Sequence, residues 1–258
     1  MSDSSAPLSL QGKVALVTGA SRGIGAAIAV GFARAGADVA VLARDEAKLK
    51  SVAAEIEALG SRALVLSVDV TDASLVSEAV DRVASELGGL DVVVNNAGGN
   101  SFSIPVSRMR VSGWSKTQAL NVESVLHVCK AALPHLVAQG GGVILNVASV
   151  AGLQGAPYMA HYAAAKAAVI SLTRSLAIEV AADGIRVNAL LPGWVATDLT
   201  EFLRDDESTE AALLDRVPMR RWGTAYEMVG PALFLACEES SFMTGQTLVV
   251  DGGLSAMP

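Results

Sequence analysis

The chain is poor in cysteine and in positive charge, and both shortages narrow what it can be. Its 258 residues include only two cysteines, Cys129 and Cys237, which lie far apart within apolar, helix-like stretches. Such a pair predicts neither a disulfide framework nor a cysteine-based metal site, and we expect both to be small buried apolar side chains. With 19 Lys and Arg against 26 Asp and Glu, the net charge is -7, which argues against nucleic acid or an anionic membrane surface as a partner.

The sequence also lacks long uninterrupted apolar runs. Even the alanine-rich stretch after Pro157 is interrupted by His161, Lys166 and Arg174, so it falls short of the roughly 18 apolar residues expected of a membrane span. Residues 1–11 are polar, without the basic patch and apolar run of a secretory signal, and they predict a flexible tail. We therefore expect a cytoplasmic protein with no membrane segment.

Apolar material is abundant, at 52% of the residues, and it alternates between short and long segments. Short, β-branched runs predict seven strands, at residues 14–17, 39–42, 63–68, 92–94, 143–147, 187–191 and 248–250. Segments with helical spacing lie between them, at residues 24–35, 46–59, 74–87, 122–139, 161–182 and 225–237. Because parallel strands need crossover connections, this order predicts a single doubly wound α/β domain over residues 12–258, of the Rossmann type, with a seven-stranded parallel sheet and helices on both faces.

One segment breaks this alternation. Residues 196–218 follow the sixth strand and are rich in charge, with scattered Leu and Phe. A long insertion at the carboxyl edge of a parallel sheet is commonly a lid over the substrate, and a mobile surface excursion is the alternative.

The first strand and the first helix are separated by a glycine-rich loop, TGASRGIG at residues 18–25. Glycine lets a backbone turn tightly and approach a pyrophosphate, and the N-terminus of the following helix offers free N–H groups. The spacing, G-x-x-x-G-x-G, differs from the general G-x-G-x-x-G fingerprint. The loop predicts a dinucleotide phosphate site made by Gly19, Ser21, Arg22, Gly23, Ile24 and Gly25.

The end of the second strand bears on which dinucleotide is bound. Ala43 leaves no carboxylate at the strand tip, and Arg44 together with Arg22 predicts a basic clamp for a 2′-phosphate, which favours NADP(H) over NAD(H). The alternative makes Asp45 the ribose ligand of NAD, but its place before a helix favours a role as N-cap. Further dinucleotide contacts are expected after the third and fourth strands, from Asp69, Val70, Asn96, Ala97 and Gly98.

Tyr162 and Lys166 are four residues apart in a helical segment, so their side chains lie on one face. A nearby ammonium favours the phenolate, so we expect Lys166 to lower the pKa of Tyr162 from its usual value of about 10. Ser149 directly follows the fifth strand and so lies at the same edge of the sheet. Alone, the Tyr and Lys pair is also typical of a solvated lysine beside a packing aromatic.

Taken together, the motifs resemble the short-chain dehydrogenase/reductase family over nearly the whole chain. In order, they are Thr18-Gly19 with Gly23 and Gly25, Asn95-Asn96-Ala97-Gly98, Asn121, Ser149, Tyr162 with Lys166, Arg186-Val187-Asn188 and Pro192-Gly193. The resemblance implies that Tyr162 exchanges the proton and that Ser149 hydrogen-bonds the substrate oxygen. It implies that Lys166 lowers the Tyr162 pKa and holds the nicotinamide ribose, while Asn121 orders a water on a proton path.

The resemblance extends to the nicotinamide site and to assembly. It implies nicotinamide contacts from Pro192, Gly193, Val195 and Thr197. Residues 245–246 and 251–253 resemble the last strand of the family and its subunit contact, which implies a homotetramer, with a dimer as the alternative.

The sequence therefore predicts an NADP(H)-dependent oxidoreductase that moves a hydride between nicotinamide and a carbonyl or secondary alcohol carbon of a small molecule. The alternatives are an NAD-dependent alcohol dehydrogenase of the same family and a dinucleotide-binding sensor without turnover. No metal is expected, because His127, His135 and His161 show no ligand spacing, and His161 is assigned a packing or surface role.

Substrate contacts are expected near the cofactor edge from Ser101, Phe102, Leu153, Gln154, Tyr158, Trp194 and Leu199. This mostly apolar set predicts an uncharged carbonyl compound, such as a β-ketoacyl thioester, a cyclic ketone or a steroid-like alcohol.

Overall fold

A parallel sheet runs through the centre of the molecule. The computed structural model describes residues 8–256, with all side chains in that range except those of Leu199 and Phe202. Seven strands form the sheet in the order β3-β2-β1-β4-β5-β6-β9. Their bounds are β1 Val14–Thr18, β2 Asp38–Ala43, β3 Ala63–Ser67, β4 Val92–Asn95, β5 Gly142–Val147, β6 Ile185–Pro192 and β9 Thr247–Val250. The order reverses between β1 and β4, which is the switch point of a doubly wound Rossmann-type fold.

Helices cover both faces of the sheet, as the alternation of segments predicts. Their bounds are α1 Gly23–Arg34, α2 Glu46–Ala58, α3 Ala73–Leu87, α4 Val111–Gln118, α5 Ser124–Ala138, α6 Ala160–Val180, α7 Glu207–Leu214 and α8 Val229–Ala236. On β1, Val14 and Leu16 pack in one core with α3, α5 and α6, while Ala15 and Val17 pack in the other with α1, α2 and α8. A strand buried on both faces explains the continuous apolar runs in the sequence.

The predicted segments match these elements, with two helical regions missed. Helical structure begins at Val111, well before the predicted residue 122, and a π-helical turn, Ala119–Glu123, joins α4 to α5. The sequence of α4, VSGWSKTQ, has no apolar period, so nothing in the pattern marked it. The second missed helix is α7, inside the charged segment 196–218.

The two short strands that flank that charged segment pair with each other. Strand β7, Val195–Ala196, pairs in parallel with β8, Gly223–Thr224. Between them, the indole N–H of Trp222 donates to the Glu210 carboxylate of α7 at 2.6 Å, and the Trp222 ring packs edge-on against Trp194. The segment is therefore folded onto the sheet edge.

The expectation of a flexible tail over residues 1–11 is wrong for residues 8–11. Leu10 is buried in the core, and its N–H donates to the Ala35 carbonyl at 2.9 Å. The N–H of Leu8 donates to the carboxylate of Glu239 at 2.8 Å. An apolar side chain four residues before the first strand packs in the core, and residues 1–7 lie outside the described part.

The expectation for the two cysteines holds. Cys129 and Cys237 are both buried and free. Within residues 8–256, no helix combines the length and the apolar character needed to cross a membrane.

Candidate active site

A large cleft, with a volume of about 990 Å³, opens at the carboxyl ends of the central strands. The loops after β1, β4, β5 and β6 line it, together with the start of α6 and the 196–218 segment. This is the edge at which open α/β sheets bind ligands. Most sequence-predicted site residues line it: Gly19, Ser21, Arg22, Gly23, Ile24, Arg44, Asp69, Val70, Asn96, Ala97, Gly98, Ser149, Gln154, Tyr158, Tyr162, Lys166, Pro192, Gly193, Trp194, Val195 and Thr197.

The glycine loop is packed tightly against the loop after β4. A Cβ at Gly19, whose φ is +65°, would lie 2.8 Å from the Cα of Ala97. A Cβ at Gly25 would lie 2.3 Å from Asn96 Nδ2 and 2.5 Å from the Gly19 carbonyl oxygen. Gly25 does not line the cleft; it supports the loop from beneath, so its predicted contact with the dinucleotide is corrected to a packing role.

Hydrogen bonds hold these two loops together. The Asn96 side-chain amide donates to the carbonyls of Thr18 at 3.0 Å and Gly19 at 3.2 Å. The Thr18 hydroxyl accepts from the backbone N–H groups of Asn96 and Ala97, both at 3.0 Å. The Asn96 side chain thus fixes the shape of the phosphate loop.

The N-terminus of α1 is free of a side-chain cap. Its N-cap, Arg22, makes no capping hydrogen bond, whereas Asp45, Asp72 and Asp206 cap α2, α3 and α7. An uncapped N-terminus leaves N–H donors and the positive end of the helix dipole directed at the cleft. Together with the tight glycine loop, this arrangement fits the pyrophosphate of a dinucleotide.

Two arginines at this end of the cleft carry ion pairs. Arg44 Nη1 lies 3.8 Å from Asp69 Oδ2, and Arg22 Nη1 lies 3.0 Å from Asp198 Oδ2. Asp45 accepts the backbone N–H of Lys48 as N-cap of α2, so the predicted capping role of Asp45 is confirmed. A hydrogen bond from the Thr71 backbone, stronger than the opposing burial, lowers the pKa of Asp69 below its usual value.

At the other side of the cleft, Ser149, Tyr162 and Lys166 come together. Ser149 begins a 3-10 turn after β5, with its hydroxyl accepting the Ala151 N–H at 3.2 Å, and its side chain lies near enough to the Tyr162 hydroxyl to affect the pKa of that group. Lys166 is buried at 4% exposure, and its ammonium donates to the carbonyl of Val147 at 2.9 Å. The Lys166 Nζ lies 5.7 Å from the centre of the Tyr162 ring. The helix α6 and the end of β5 therefore bring the predicted trio into one place.

The structure corrects the expected pKa of Tyr162. Burial raises the pKa of Tyr162 to about 12, and the Ser149 side chain opposes this only in part. Burial likewise lowers the pKa of Lys166 to about 8. The cost of removing a phenolate from water dominates the pKa of Tyr162, and the Lys166 charge makes no resolved contribution to it. The neutral, proton-carrying phenol is the favoured form.

Asn121 lies behind the cleft, in the π-helical turn. It is 1% exposed, accepts the N–H of Gly99 at 3.0 Å and donates to the Gly99 carbonyl at 3.0 Å. A Cβ at Gly98 would lie 2.7 Å from Asn121 Oδ1 and 3.2 Å from Lys166 Nζ. The two polar groups therefore converge on the backbone of Gly98.

Several predicted substrate contacts are misplaced. Ser101, Phe102 and Leu153 do not line the cleft. The ring of Phe102 stacks on His161 with centroids 4.0 Å apart, and Nε2 of His161 lies 2.9 Å from the Asn100 side-chain oxygen. This buried stacking confirms packing as the role of His161. The side chain of Leu199 lies outside the described part of the structure.

The cleft also contains residues that the sequence did not point to. Beside the expected positions, its substrate end is lined by Ser103, Met159, Leu203, Leu213, Arg216 and Leu254. Leu203, Leu213 and Arg216 belong to the 196–218 segment, from which only Thr197 and Leu199 were singled out as site residues. The sequence pointed to the segment as a whole, and only the structure shows which of its side chains line the cleft.

The fold and this cleft define a dinucleotide-binding α/β protein. A family model described as enoyl-(acyl carrier protein) reductase matches residues 19–255. The chain is 40% identical over 247 residues to gluconate 5-dehydrogenase from Gluconobacter oxydans, covering 96% of each. It is 40% identical over 245 residues to a 3-oxoacyl-(acyl-carrier-protein) reductase from Thermotoga maritima, covering 95% of this chain and 98% of that one.

Solved structures give the same result. A gluconate 5-dehydrogenase from Burkholderia cenocepacia in complex with NADP and tartrate has a TM-score of 0.93 and 37% identity, covering 97% of this chain and 98% of that one. The chain belongs to the short-chain dehydrogenase/reductase family and is a hydride-transfer oxidoreductase.

Proposed function

We propose that the protein is an NADP(H)-dependent carbonyl reductase that also catalyses the reverse oxidation of a secondary alcohol, with Tyr162 as general acid and base. The observation that carries the proposal is the convergence of Ser149, Tyr162 and Lys166 at one wall of the cleft, opposite the uncapped helix that fits a dinucleotide. A bound nicotinamide dinucleotide would supply or accept the hydride.

In this proposal Tyr162 donates its phenolic proton to the carbonyl oxygen during reduction. The raised pKa keeps that proton on the phenol at neutral pH, which is the form that reduction requires. Ser149 binds the same oxygen and stabilises the negative charge that develops on it. The reaction in the direction of reduction therefore starts from the protonation state that the site favours.

Lys166 and Asn121 support the proton transfer. The Lys166 ammonium is held by the Val147 carbonyl near the phenol ring, so its charge offsets part of the cost of forming phenolate. Asn121 clamps both backbone groups of Gly99 and places its amide oxygen near the same point as Lys166 Nζ. We propose that this is where an ordered water links Lys166 to solvent.

The preference for NADP(H) is supported by Arg22 and Arg44, which both line the dinucleotide end of the cleft. The relative from Burkholderia cenocepacia binds NADP. We further propose a cytoplasmic homotetramer, supported by the nearly complete exposure of the apolar side chains of Ile178 and Phe242.

The proposal is tested by following the absorbance of NADPH with a panel of ketones and keto acids, for wild type and for Tyr162→Phe. We expect the substitution to lower kcat about 100-fold to 10,000-fold, the usual contribution of a positioned acid. Tyr226→Phe is the matched control, since Tyr226 is 67% exposed and lies outside the cleft, and it should keep most of the activity. Equal rates for wild type and Tyr162→Phe would remove Tyr162 from the mechanism, and silence with every compound would favour the dinucleotide-binding sensor.

A further inference from the structure

Charge is distributed unevenly along the cleft. Among its described lining residues, the charged side chains other than Lys166 gather at the dinucleotide end, with one exception; those at that end are Arg22, Arg44, Asp45, Lys48, Asp69 and Asp198. The exception is Arg216. It lines the other end of the cleft with mostly apolar neighbours, including Leu213, Trp194 and Leu254.

The backbone of Arg216 is fixed beside the wall that carries Ser149. The next residue, Val217, is 2% exposed and packs in a small core with Val150 and Leu254. Val150 directly follows Ser149, and the Arg216 N–H donates to the Leu213 carbonyl at 3.1 Å. Arg216, an exposed residue, therefore lines the cleft from an anchored backbone position near the proposed site of reduction.

Arg216 also differs from its charged neighbours in having no ionic partner. Arg220 is paired with Asp215, and Arg221 makes a two-point contact with Glu227 at 2.7 Å and 2.9 Å. No carboxylate of residues 8–256 lies within 4.0 Å of the Arg216 guanidinium, although Asp215 is adjacent in sequence. A cation next to apolar walls, with no carboxylate of its own, is suited to bind the anionic group of a ligand.

We infer that the substrate is a small oxo acid or hydroxy acid whose carboxylate is bound by Arg216 while its carbonyl or hydroxyl oxygen lies at Ser149 and Tyr162. This inference rests on the proposed function. It replaces the sequence-based expectation of an uncharged substrate, which was drawn from residues that did not include Arg216. A carboxylate is favoured over a phosphate because the substrate end offers one cation, and a phosphate dianion would call for a second.

The test compares wild type, Arg216→Gln and Arg216→Lys on matched substrates: 2-oxo and 3-oxo acids of three to six carbons, their methyl esters, and a ketone that carries a phosphate ester. For an acid, we expect Arg216→Gln to raise KM about 10-fold to 100-fold, the usual worth of a hydrogen bond to a charged group, with kcat nearly unchanged. Arg216→Lys should lose less. The corresponding ester should be affected less than twofold. Arg220→Gln, which changes a paired arginine outside the cleft, is the control and should leave both substrates unaffected.

The outcomes separate this inference from the proposed function. Turnover of acids and esters with no effect of Arg216→Gln on either would overturn the inference and leave the proposed function standing. A larger loss for the phosphate-bearing ketone than for the acids would overturn the assignment to a carboxylate.

If wild type turned over none of these compounds, the proposed function would be contradicted. A binding measurement then tests the inference on its own. Trp194 lines the cleft and touches Trp222, so tryptophan fluorescence reports on binding there. Malate should change the fluorescence of wild type but not of Arg216→Gln, and its dimethyl ester should act equally on both. The same malate response in the two proteins, or none in either, would overturn the inference.

Discussion

Lys166 holds a positive charge where water hardly reaches it. The side chain is 4% exposed, its donor group is bound to the Val147 carbonyl, and burial lowers its pKa to about 8. Its charge is therefore present below about pH 8 and is lost above it. Tyr162, with a pKa raised to about 12, keeps its proton throughout this range.

These two values predict the pH dependence of reduction. We expect kcat/KM to fall as the pH rises through about 8, because Lys166 loses its charge there while Tyr162 stays protonated. The measurement is a pH profile from 6 to 10 with NADPH and a ketone substrate. Lys166→Arg, which stays charged over this range, should retain whatever activity it has without a decline near pH 8. A flat wild-type profile would contradict the prediction.

Arg44 is the residue on which the choice of dinucleotide depends. It is exposed at the tip of β2 and pairs weakly with Asp69, at 3.8 Å, so its guanidinium is available to a phosphate. We expect Arg44→Ala to weaken NADPH binding about 10-fold and to leave NADH binding nearly unchanged, measured by fluorescence of the reduced dinucleotide. Lys50→Ala, on the neighbouring helix and outside the cleft, should change neither. Tighter binding of NADH than NADPH by wild type would show that the two arginines do not form a clamp.

Among individual residues, the sequence identified those whose positions follow from spacing along a strand or a helix. Ser149, Tyr162 and Lys166 are near a strand end or share a helix face, so their meeting follows from periodicity. The orientation of Phe102 and the entry of Arg216 into the cleft depend instead on contacts with residues distant in the chain. Spacing along the chain predicts neither those contacts nor the burial that raises the Tyr162 pKa.

The glycine loop before α1 can pack as it does only because Gly25 has no side chain. A methyl group at Gly25 would meet Asn96 Nδ2 at 2.3 Å and the Gly19 carbonyl oxygen at 2.5 Å. Both neighbours belong to the hydrogen-bonded pair of loops, so neither is free to move aside.

Gly25→Ala should therefore destabilise the protein and impair dinucleotide binding together. We expect a loss of about 1 to 3 kcal/mol in the free energy of unfolding, typical of overpacking, measured by urea denaturation. Gly230→Ala on α8 is the control, because a Cβ there meets nothing within 4 Å and alanine favours a helix. An unchanged midpoint for Gly25→Ala would mean that the loops can separate without cost.

Among the elements, those with a clear apolar period were predictable and the others were not. The apolar runs of the seven strands and the apolar spacing of α6 each have one interpretation. The helix α4 lacks an apolar stripe, and α7 has no buried residue. Such helices exist because neighbouring structure holds them, as Trp222 holds α7 through Glu210, and that support is absent from the local sequence.

On the scale of the whole molecule, two exposed apolar side chains lie in neighbouring segments. Ile178 of α6 is 81% exposed and Phe242 is fully exposed. Ala177 and Gly245 approach one another, with a Cβ at Gly245 lying 3.5 Å from that of Ala177, so the two segments adjoin. Exposed apolar groups in adjoining segments are typical of a contact between subunits.

We expect the double substitution Ile178→Asp and Phe242→Asp to reduce the oligomer to a smaller species, because a charge buried in an interface is costly. Light scattering coupled to size-exclusion chromatography measures the mass directly. Leu59→Asp, at another partly exposed apolar position, is the control and should leave the mass unchanged. A wild-type mass equal to one chain would contradict the proposed homotetramer.

The pairing of β7 with β8 has a consequence for how this chain can change over evolution. Because β7 and β8 pair, the two ends of residues 197–222 lie side by side. The distance between these ends therefore stays the same whatever the length or sequence of the stretch. The stretch can therefore be exchanged as a unit: chimaeras that receive it from a relative should acquire a new preference among substrates while Ser149 and Tyr162 keep their positions.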